Sequence, residues 1–165
     1  MNRRQVLSSL LTAGLLAGAP LRQAMAKKSY IQKTRHQWLA IVSRAQYAVL
    51  FEEATEAPGS SPLNQEKRVG TFVCAACNQA LFKSTTKYDS GTGWPSFFDA
   101  LPAALDTKTD YKIGVPRTEY HCSNCGGHQG HIFKDGPQPT GLRYCNNGLA
   151  LAFVPDGNKL PEVRQ

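Results

Sequence analysis

The residue best suited to chemistry in this chain is Cys145, which stands apart from the other four cysteines. Arg143 precedes it by two positions, and polar Asn146 and Asn147 follow it. A neighbouring guanidinium lowers the pKa of a thiol, and the thiolate is the nucleophilic form. The alternative is a buried structural cysteine. The polar neighbours argue against it, so the segment predicts a reactive thiol.

The remaining cysteines form two C-x-x-C pairs, Cys74 with Cys77 and Cys122 with Cys125. Two such pairs can place four thiolates tetrahedrally around one Zn²⁺, which leaves no open position and makes the zinc structural. Asn78 and Gly126 follow the pairs and favour tight turns. The alternatives are disulfides, which an oxidising compartment permits, and a thioredoxin-like redox pair. The N-terminal segment described below predicts export of an already folded protein. Such export favours zinc, because the metal can be loaded in the reducing cytosol before export.

Two histidines, His128 and His131, lie three positions apart and precede Asp135. They could bind a metal, or be one core and one surface histidine. They could also supply a proton donor and its orienting partner for a thiol reaction. No third ligand at an obvious spacing lies near this pair. We therefore predict acid–base work rather than a second metal site.

Glycines on the N-terminal side of Trp94 place this aromatic residue on a loop. Trp94 could simply cover the core. With Phe97 it could instead surround a methyl or thioether group through sulfur–aromatic contact.

The elements that must position these groups are short. Apolar residues from Trp38 to Leu50 repeat at helical spacing, and Ser43 with Gln46 resembles a capping box, so we predict two short helices meeting near Ser43. Segments rich in Val, Tyr, Phe and Thr predict an antiparallel β domain. The predicted strands are 70–74, 80–83, 117–121, 131–134 and 149–154. The last is apolar on both faces, so we expect it to be covered on both sides.

The first 26 residues have the pattern of a signal peptide. Arg3 and Arg4 precede an apolar stretch, and Ala24-Met25-Ala26 forms a small-residue cleavage site. The order around the two arginines resembles a twin-arginine signal, which predicts export to the periplasm. The alternative is an uncleaved anchor helix, but the stretch is short for one.

Cleavage would leave a flexible lead-in (27–35), one domain (36–157) and a loose tail (158–165). It would remove Arg3, Arg4 and Arg22, which lowers the formal net charge from +7 to +4. No basic run exceeds two residues, so the charge does not predict nucleic-acid binding. We expect no stable membrane association after cleavage.

Taken together, these segments resemble the B-type methionine sulfoxide reductases from about Trp38 to Pro155. The shared blocks are Ser61-Pro62-Leu63, Glu66-Lys67-Arg68, the two C-x-x-C pairs, Gly93-Trp94-Pro95-Ser96-Phe97, His128/His131 and Arg143-Tyr144-Cys145 with Asn147. The resemblance implies a mainly β fold of two antiparallel sheets with short N-terminal helices and a four-cysteine zinc site that joins two knuckles. It also implies reduction of the R-epimer of methionine sulfoxide.

Residue roles follow from the same resemblance. Cys145 matches the nucleophile, Arg143 and Asn147 its supporting groups, and Trp94 the residue that contacts the substrate methyl. His128 and His131 match the pair that protonates the sulfoxide oxygen, with Asp135 in the same network.

Thr92 occupies the position where many family members carry a resolving cysteine. The resemblance therefore implies a single-thiol enzyme recycled by an external thiol, such as a thioredoxin-like protein. Its expected substrates are exported proteins carrying methionine-R-sulfoxide, as part of an oxidative stress response. Two further hypotheses are a non-enzymatic zinc-binding module and a redox sensor that oxidises at Cys145 without turnover.

Overall fold

The computed structural model describes residues 30–165. The predicted signal peptide lies outside these residues. Two short helices, α1 (Arg35–Leu39) and α2 (Arg44–Glu52), are preceded by the N-cap residues Thr34 and Ser43, and each N-cap forms a complete capping box. The prediction of two helices meeting near Ser43 is confirmed. Along 30–165, no helix combines the length and the apolar character needed to span a bilayer.

Nine strands follow in the described chain: β1 (Gly70–Cys74), β2 (Ala80–Lys83), β3 (Lys87–Tyr88), β4 (Ser96–Phe97), β5 (Leu105–Asp110), β6 (Arg117–Cys122), β7 (His128–Phe133), β8 (Arg143–Asn146) and β9 (Leu151–Pro155). Short 3₁₀ turns occupy Pro62–Gln65, Ser84–Thr86 and Gly148–Ala150. The strands form a three-stranded sheet in the order β2-β1-β9 and a six-stranded sheet in the order β3-β4-β8-β7-β6-β5. Every pairing is antiparallel. The predicted mainly β fold of two antiparallel sheets is confirmed.

Aromatic side chains fill the space between the sheets. Phe82 of β2 stacks on Phe97 of β4 with ring centroids 4.1 Å apart, and Phe72 of β1 meets Phe97 edge-on at 5.0 Å. Tyr120 and Tyr144 of the larger sheet meet Phe82 edge-on at 6.2 and 5.9 Å. Offset and edge-on ring pairs of this kind are favourable beyond the apolar area that they bury. They fix how the two sheets lie on each other.

The last strand differs from its prediction. Residues 148–150 form a 3₁₀ turn, so β9 begins only at Leu151. It is an edge strand paired with β1 alone, and Ala152 is exposed. The expectation that this strand is covered on both sides is wrong, because the small side chain of Ala152 lies on the solvent face.

Both ends of the described chain hydrogen-bond to the knuckles, which are the two turns that carry Cys74 with Cys77 and Cys122 with Cys125. The amide of Ile31 donates to the Asn124 carbonyl at 3.1 Å, and the amide of Arg164 donates to the Cys77 carbonyl at 2.8 Å. The Arg164 guanidinium also donates to the Ala76 carbonyl at 2.6 Å. The segment predicted as a loose tail is therefore anchored at Arg164.

Candidate active site and metal centre

The four knuckle cysteines converge on one buried point. Their sulfur atoms all lie within 4.8 Å of one another, with Cys74 Sγ 3.7 Å from Cys125 Sγ and Cys77 Sγ 3.5 Å from Cys122 Sγ. These separations exceed the ~2.05 Å of a disulfide. They match the edge of about 3.8 Å that follows from tetrahedral Zn–S bonds of about 2.3 Å. The amide of Gly127 donates to Cys125 Sγ at 3.4 Å, as a supporting donor does to a metal-bound thiolate. The residues fit a structural zinc ion.

Each knuckle turns on a residue with positive φ. Asn78 (φ 65°) donates its amide to the Cys74 carbonyl, and Gly126 (φ 73°) donates to the Cys122 carbonyl, both at 2.9 Å. This left-handed conformation suits Gly and Asn. The turns lie at the ends of β1 and β6, one in each sheet. A zinc ion bound there would join the two sheets.

Strand alternation directs Cys145 away from the intersheet core. Its neighbours on β8 face that core, Tyr144 toward Phe82 and Asn146 as the acceptor of the Tyr120 hydroxyl at 2.8 Å. Successive side chains of a strand point to opposite faces, so Cys145 projects from the outer face of the six-stranded sheet. Its cross-strand partners are Ser96 on β4 and His131 on β7.

A β-bulge brings His128 to the same side as His131. Residues three apart in a regular strand point to opposite faces. In β7, Tyr120 pairs with Gly130 while His121 pairs with His128, which leaves Gln129 as an extra residue. The bulge resets the alternation, and the two imidazole centroids lie 5.6 Å apart. His128 is buried, whereas His131 is partly exposed.

Two buried acids from the β5–β6 hairpin accompany the histidines. Glu119 Oε1 lies 2.9 Å from His128 Nδ1, and Asp110 Oδ2 lies 2.7 Å from His131 Nε2. Arg117 also donates to Asp110 Oδ2, at 2.5 Å. A backbone amide, His131 and Arg117 hold the pKa of Asp110 well below its usual range. The pKa of His131 is lowered, because burial outweighs the raising effect of Asp110.

Asp135 takes a different place from the one predicted. It accepts two hydrogen bonds from the Arg143 guanidinium, both at 2.8 Å, and it is largely exposed. The same guanidinium lies over the Phe133 ring, with its central carbon 4.3 Å from the ring centroid. The acids of the histidine network are Glu119 and Asp110, so the prediction that Asp135 belongs to it is wrong. Asp135 instead orients Arg143 beside Cys145.

The pKa of the Cys145 thiol is raised, chiefly because the side chain is largely desolvated. The Arg143 charge and hydrogen bonds from Thr92 and Arg143 act in the opposite direction, and the Asp135 charge adds a small raising effect. The predicted influence of Arg143 has the expected sign. Burial exceeds it.

Asn147 links Gln129 of β7 to Glu56 by hydrogen bonds, two positions after the nucleophile. Its amide and its side-chain nitrogen both donate to the Gln129 carbonyl, at 2.8 and 3.1 Å, and its side-chain oxygen accepts the Glu56 amide at 3.1 Å. Buried Glu56 also accepts the amides of Gly148 and Leu149, at 2.5 and 2.9 Å.

Trp94 lies on a loop, as predicted. Its indole nitrogen donates to the Glu56 carbonyl at 3.2 Å, which fixes the ring. A cavity of about 130 Å³ opens above Cys145. Its walls come from Thr55, Trp94, Arg117, Gly130, His131, Phe133, Cys145, Asn146 and Asn147.

Phe97 does not line this cavity. It is fully buried between Phe82 and Phe72 in the core. The prediction of a substrate contact by Phe97 is therefore wrong, because on β4 it points to the opposite face of the sheet from Ser96 and Cys145.

The sequence reasoning missed four residues of this region: Glu56, Asp110, Arg117 and Glu119. An acid flanked by Thr118 and Tyr120 within a predicted strand was an available signal for Glu119. Asp110, Arg117 and Glu56 reach the site only through strand pairing and loop packing, which no local pattern shows.

Comparison with known proteins identifies the family. A family model described as the SelR domain matches residues 42–155. The peptide methionine sulfoxide reductase MsrB of Bradyrhizobium diazoefficiens is 50% identical over 124 residues, which cover 74% of this chain and 89% of that protein. The MsrB proteins of Leifsonia xyli and Methanosarcina barkeri are both 45% identical, over 128 and 130 residues. These matches cover 76% and 78% of this chain and 92% and 91% of the relatives. The chain thus belongs to the SelR-domain family of peptide-methionine (R)-S-oxide reductases, the MsrB oxidoreductases.

Proposed function

We propose that this protein reduces the R-epimer of protein-bound methionine sulfoxide through a sulfenic acid on Cys145. The observation that carries the proposal is the shared cavity of Cys145, His131 and Trp94, which joins a thiol, an imidazole and an aromatic face. A volume of about 130 Å³ leaves room above the thiol for a methyl sulfoxide group.

The reaction begins with attack by the Cys145 thiolate on the electrophilic sulfoxide sulfur. The oxygen takes a proton from an imidazolium, so that it does not leave as a bare anion. Transfer of the hydroxyl to the Cys145 sulfur then breaks the transient bond between the two sulfurs and yields methionine and Cys145 sulfenic acid. The substrate sulfur is reduced by two electrons and the cysteine sulfur is oxidised by two. The step consumes one thiolate, one sulfoxide and one proton, and it forms one methionine and one sulfenic acid.

His131 is the better placed proton donor. It lines the cavity, whereas His128 is buried behind it. Asp110 engages Nε2 of His131, which leaves Nδ1 as the nitrogen available to the sulfoxide oxygen. The Asp110 carboxylate opposes the lowering of the His131 pKa by burial, and so supports the protonated imidazole that this step needs. His128, fixed by Glu119, would support the orientation of its neighbour.

Trp94 and the knuckles have supporting roles. The indole ring offers an aromatic face to the sulfoxide methyl, a contact that sulfur-bearing groups favour. A zinc ion bound by Cys74, Cys77, Cys122 and Cys125 would stabilise the fold and take no part in the chemistry, because four thiolates leave no coordination site open.

Recycling requires an external thiol. Thr92 cannot form a disulfide, and the other four cysteines of the chain converge in the buried metal site. We propose a thioredoxin-like reductant and, from the twin-arginine pattern, action in the periplasm on oxidised exported proteins. Because oxidised methionine is polar and disrupts cores, this reaction would be repair.

The test uses peptides carrying R- or S-methionine sulfoxide. Without reductant, zinc-loaded protein should form one methionine per chain from the R peptide and none from the S peptide. Mass spectrometry should then find a sulfenic acid adduct on Cys145 alone. With dithiothreitol the R peptide should turn over repeatedly.

Stoichiometric oxidation of Cys145 by peroxide, without methionine formation from either epimer, would support the sensor and contradict the reductase. Intact zinc binding with an inert Cys145 would support the zinc-binding module.

A further inference from the structure

Cys145 has different neighbours on its two sides. The order β4-β8-β7 places the cavity residue His131 on one flank. On the other flank lie Arg143, two positions before Cys145 on the same face of β8, and Thr92, on the side of the β4 partner Ser96. Thr92 is fixed there by the Ser90 hydroxyl at 2.8 Å, which also contacts Ser96 of β4 at 2.8 Å.

A second opening lies on the Thr92 flank. It is an open groove of about 400 Å³. Its walls are Tyr88, Asp89, Ser90 and Thr92 on one side and Asp135, Gly136, Pro137 and Arg143 on the other. None of the cavity residues Trp94, His131 and Asn147 lines it. Cys145 itself lines only the cavity, but the groove ends at Thr92 and Arg143, which flank Cys145 on the side of β8 away from His131.

The stereochemistry of sulfenic acid reduction distinguishes the openings. A thiolate attacks a divalent sulfur along the axis opposite to the leaving group. Reduction of the sulfoxide leaves the Cys145 hydroxyl on the His131 flank, where the oxygen was protonated. The attacking thiolate must then approach from the Thr92 flank.

We propose that the groove between residues 88–92 and 135–137, the reductant groove, admits the external thiol that reduces Cys145 sulfenic acid. This inference rests on the proposed function. The incoming thiolate displaces hydroxide and forms a mixed disulfide with Cys145. The hydroxide leaves as water, with a proton that His131 has taken up again from solvent after the first step. A second thiol releases the Cys145 thiol and carries away the disulfide, so two thiols are oxidised for each sulfoxide reduced.

The charges of the groove make the proposal testable. Asp135 is neutralised by Arg143, and Lys87 directs its ammonium to the Asn64 carbonyl outside the groove. Asp89 is exposed on the groove wall, and its carboxylate accepts only the nearby Gly91 amide among the contacts observed. Substitution there changes the field that a charged thiol meets on approach.

The experiment separates the two half-reactions. Protein is first oxidised with one equivalent of R-sulfoxide peptide. Its reduction is then followed with cysteamine, 2-mercaptoethanol and 2-mercaptoethanesulfonate, which are cationic, neutral and anionic, at rates normalised to thiolate concentration. In Asp89→Lys we expect the anionic-to-cationic rate ratio to rise about fivefold, with the neutral thiol little changed. Asp89→Asn should shift the ratio in the same direction by less, which keeps the test valid if Asp89→Lys folds poorly.

Matched controls decide between the openings. Asp156→Lys makes the same charge change beside β9 of the other sheet, and the ratio should stay at the wild-type value. Thr55→Lys places a charge at the substrate cavity. A ratio unmoved by both Asp89 variants, or moved only by Thr55→Lys, would overturn the reductant groove.

Failure of the proposed function has a separate signature. Absence of the initial stoichiometric methionine in wild-type protein would contradict the reductase reaction itself, before any thiol is added. Reduced thioredoxin, tested on the same oxidised protein, distinguishes a protein-borne thiol from a small one. Pro137→Trp, which narrows the groove rim, should slow thioredoxin more than 2-mercaptoethanol if the natural thiol is presented by a protein. Equal slowing would indicate a small thiol.

Discussion

The knuckles and the Cys145 strand use the same side chain for opposite purposes. In the knuckles, four sulfurs are buried within 4.8 Å of one another on turns that close around them. On β8, one cysteine lines a cavity together with the His131 imidazole, and the groove residues Thr92 and Arg143 lie on its opposite side. The first setting fits a metal ion that would satisfy every thiolate and leave none to react. The second leaves one thiol with no partner sulfur and two routes of approach.

The largest effect should come from removing the lone thiol. Cys145→Ser should lower the rate of R-sulfoxide reduction by about 10³-fold or more, because a serine hydroxyl is a poor nucleophile without a dedicated base. The zinc content and the thermal unfolding temperature should stay near the wild-type values. Activity assays with metal analysis measure both. Retained turnover would place the nucleophile elsewhere.

Substitution of a knuckle cysteine should instead lower the stability of the fold. Cys122→Ser removes one of four metal ligands and leaves three buried thiols in a site built for four, so the free energy of unfolding should fall by about 3 kcal/mol or more. Urea unfolding and zinc analysis test this. Any surviving folded fraction should still form a sulfenic acid at Cys145. If Cys122→Ser abolished that reaction in folded protein, the separation between the two regions would fail.

The imidazole next to the lone thiol should matter less than the thiol itself. His131→Gln keeps a hydrogen-bonding side chain but no proton donor, and the initial rate of methionine formation should fall by about 10²-fold. His128→Gln should cost less, because His128 does not line the cavity. Rapid quench of the first turnover gives both rates. A larger loss for His128→Gln would exchange the two roles.

Electrostatic changes around Cys145 should be smaller still. Its pKa is raised by burial, so the thiolate fraction and the alkylation rate should rise as the pH increases toward that pKa. Arg143→Met removes a group that lowers this pKa, so alkylation at neutral pH should slow. Iodoacetamide labelling of zinc-loaded protein across pH tests the shift. Faster labelling of Arg143→Met would contradict the direction.

The smallest effect should come from Asp135→Asn. The Asp135 charge raises the Cys145 pKa slightly, so its removal should speed alkylation modestly at neutral pH. The substitution also loosens Arg143, and that loss limits the gain. The same labelling series measures it. Slower labelling would show that Asp135 acts mainly by positioning Arg143.

The parts of this comparison that the sequence predicts are the locally encoded ones. A C-x-x-C pair and the Asn78 or Gly126 after it form one turn, so spacing alone predicts the metal site. The Ser43 capping box is equally local. The partners of His128 and His131 are not local, because Glu119 and Asp110 arrive through register between strands. Asp135 is close to the histidines in sequence, which is why the sequence predicts that it joins them. However, β7 ends at Phe133, before Asp135, and the Asp135 carboxylate pairs with Arg143 instead.

The extra residue at Gln129 has a consequence for how this chain can change. It acts as a phase shift between the knuckle that ends at Cys125 and the segment that presents His131. Side chains before Gln129 alternate between the two faces of the sheet in one phase, and side chains after it alternate in the opposite phase. Gain or loss of a single residue there would rotate His128 out of the imidazole pair. The distance in sequence between the two regions is therefore fixed to the residue.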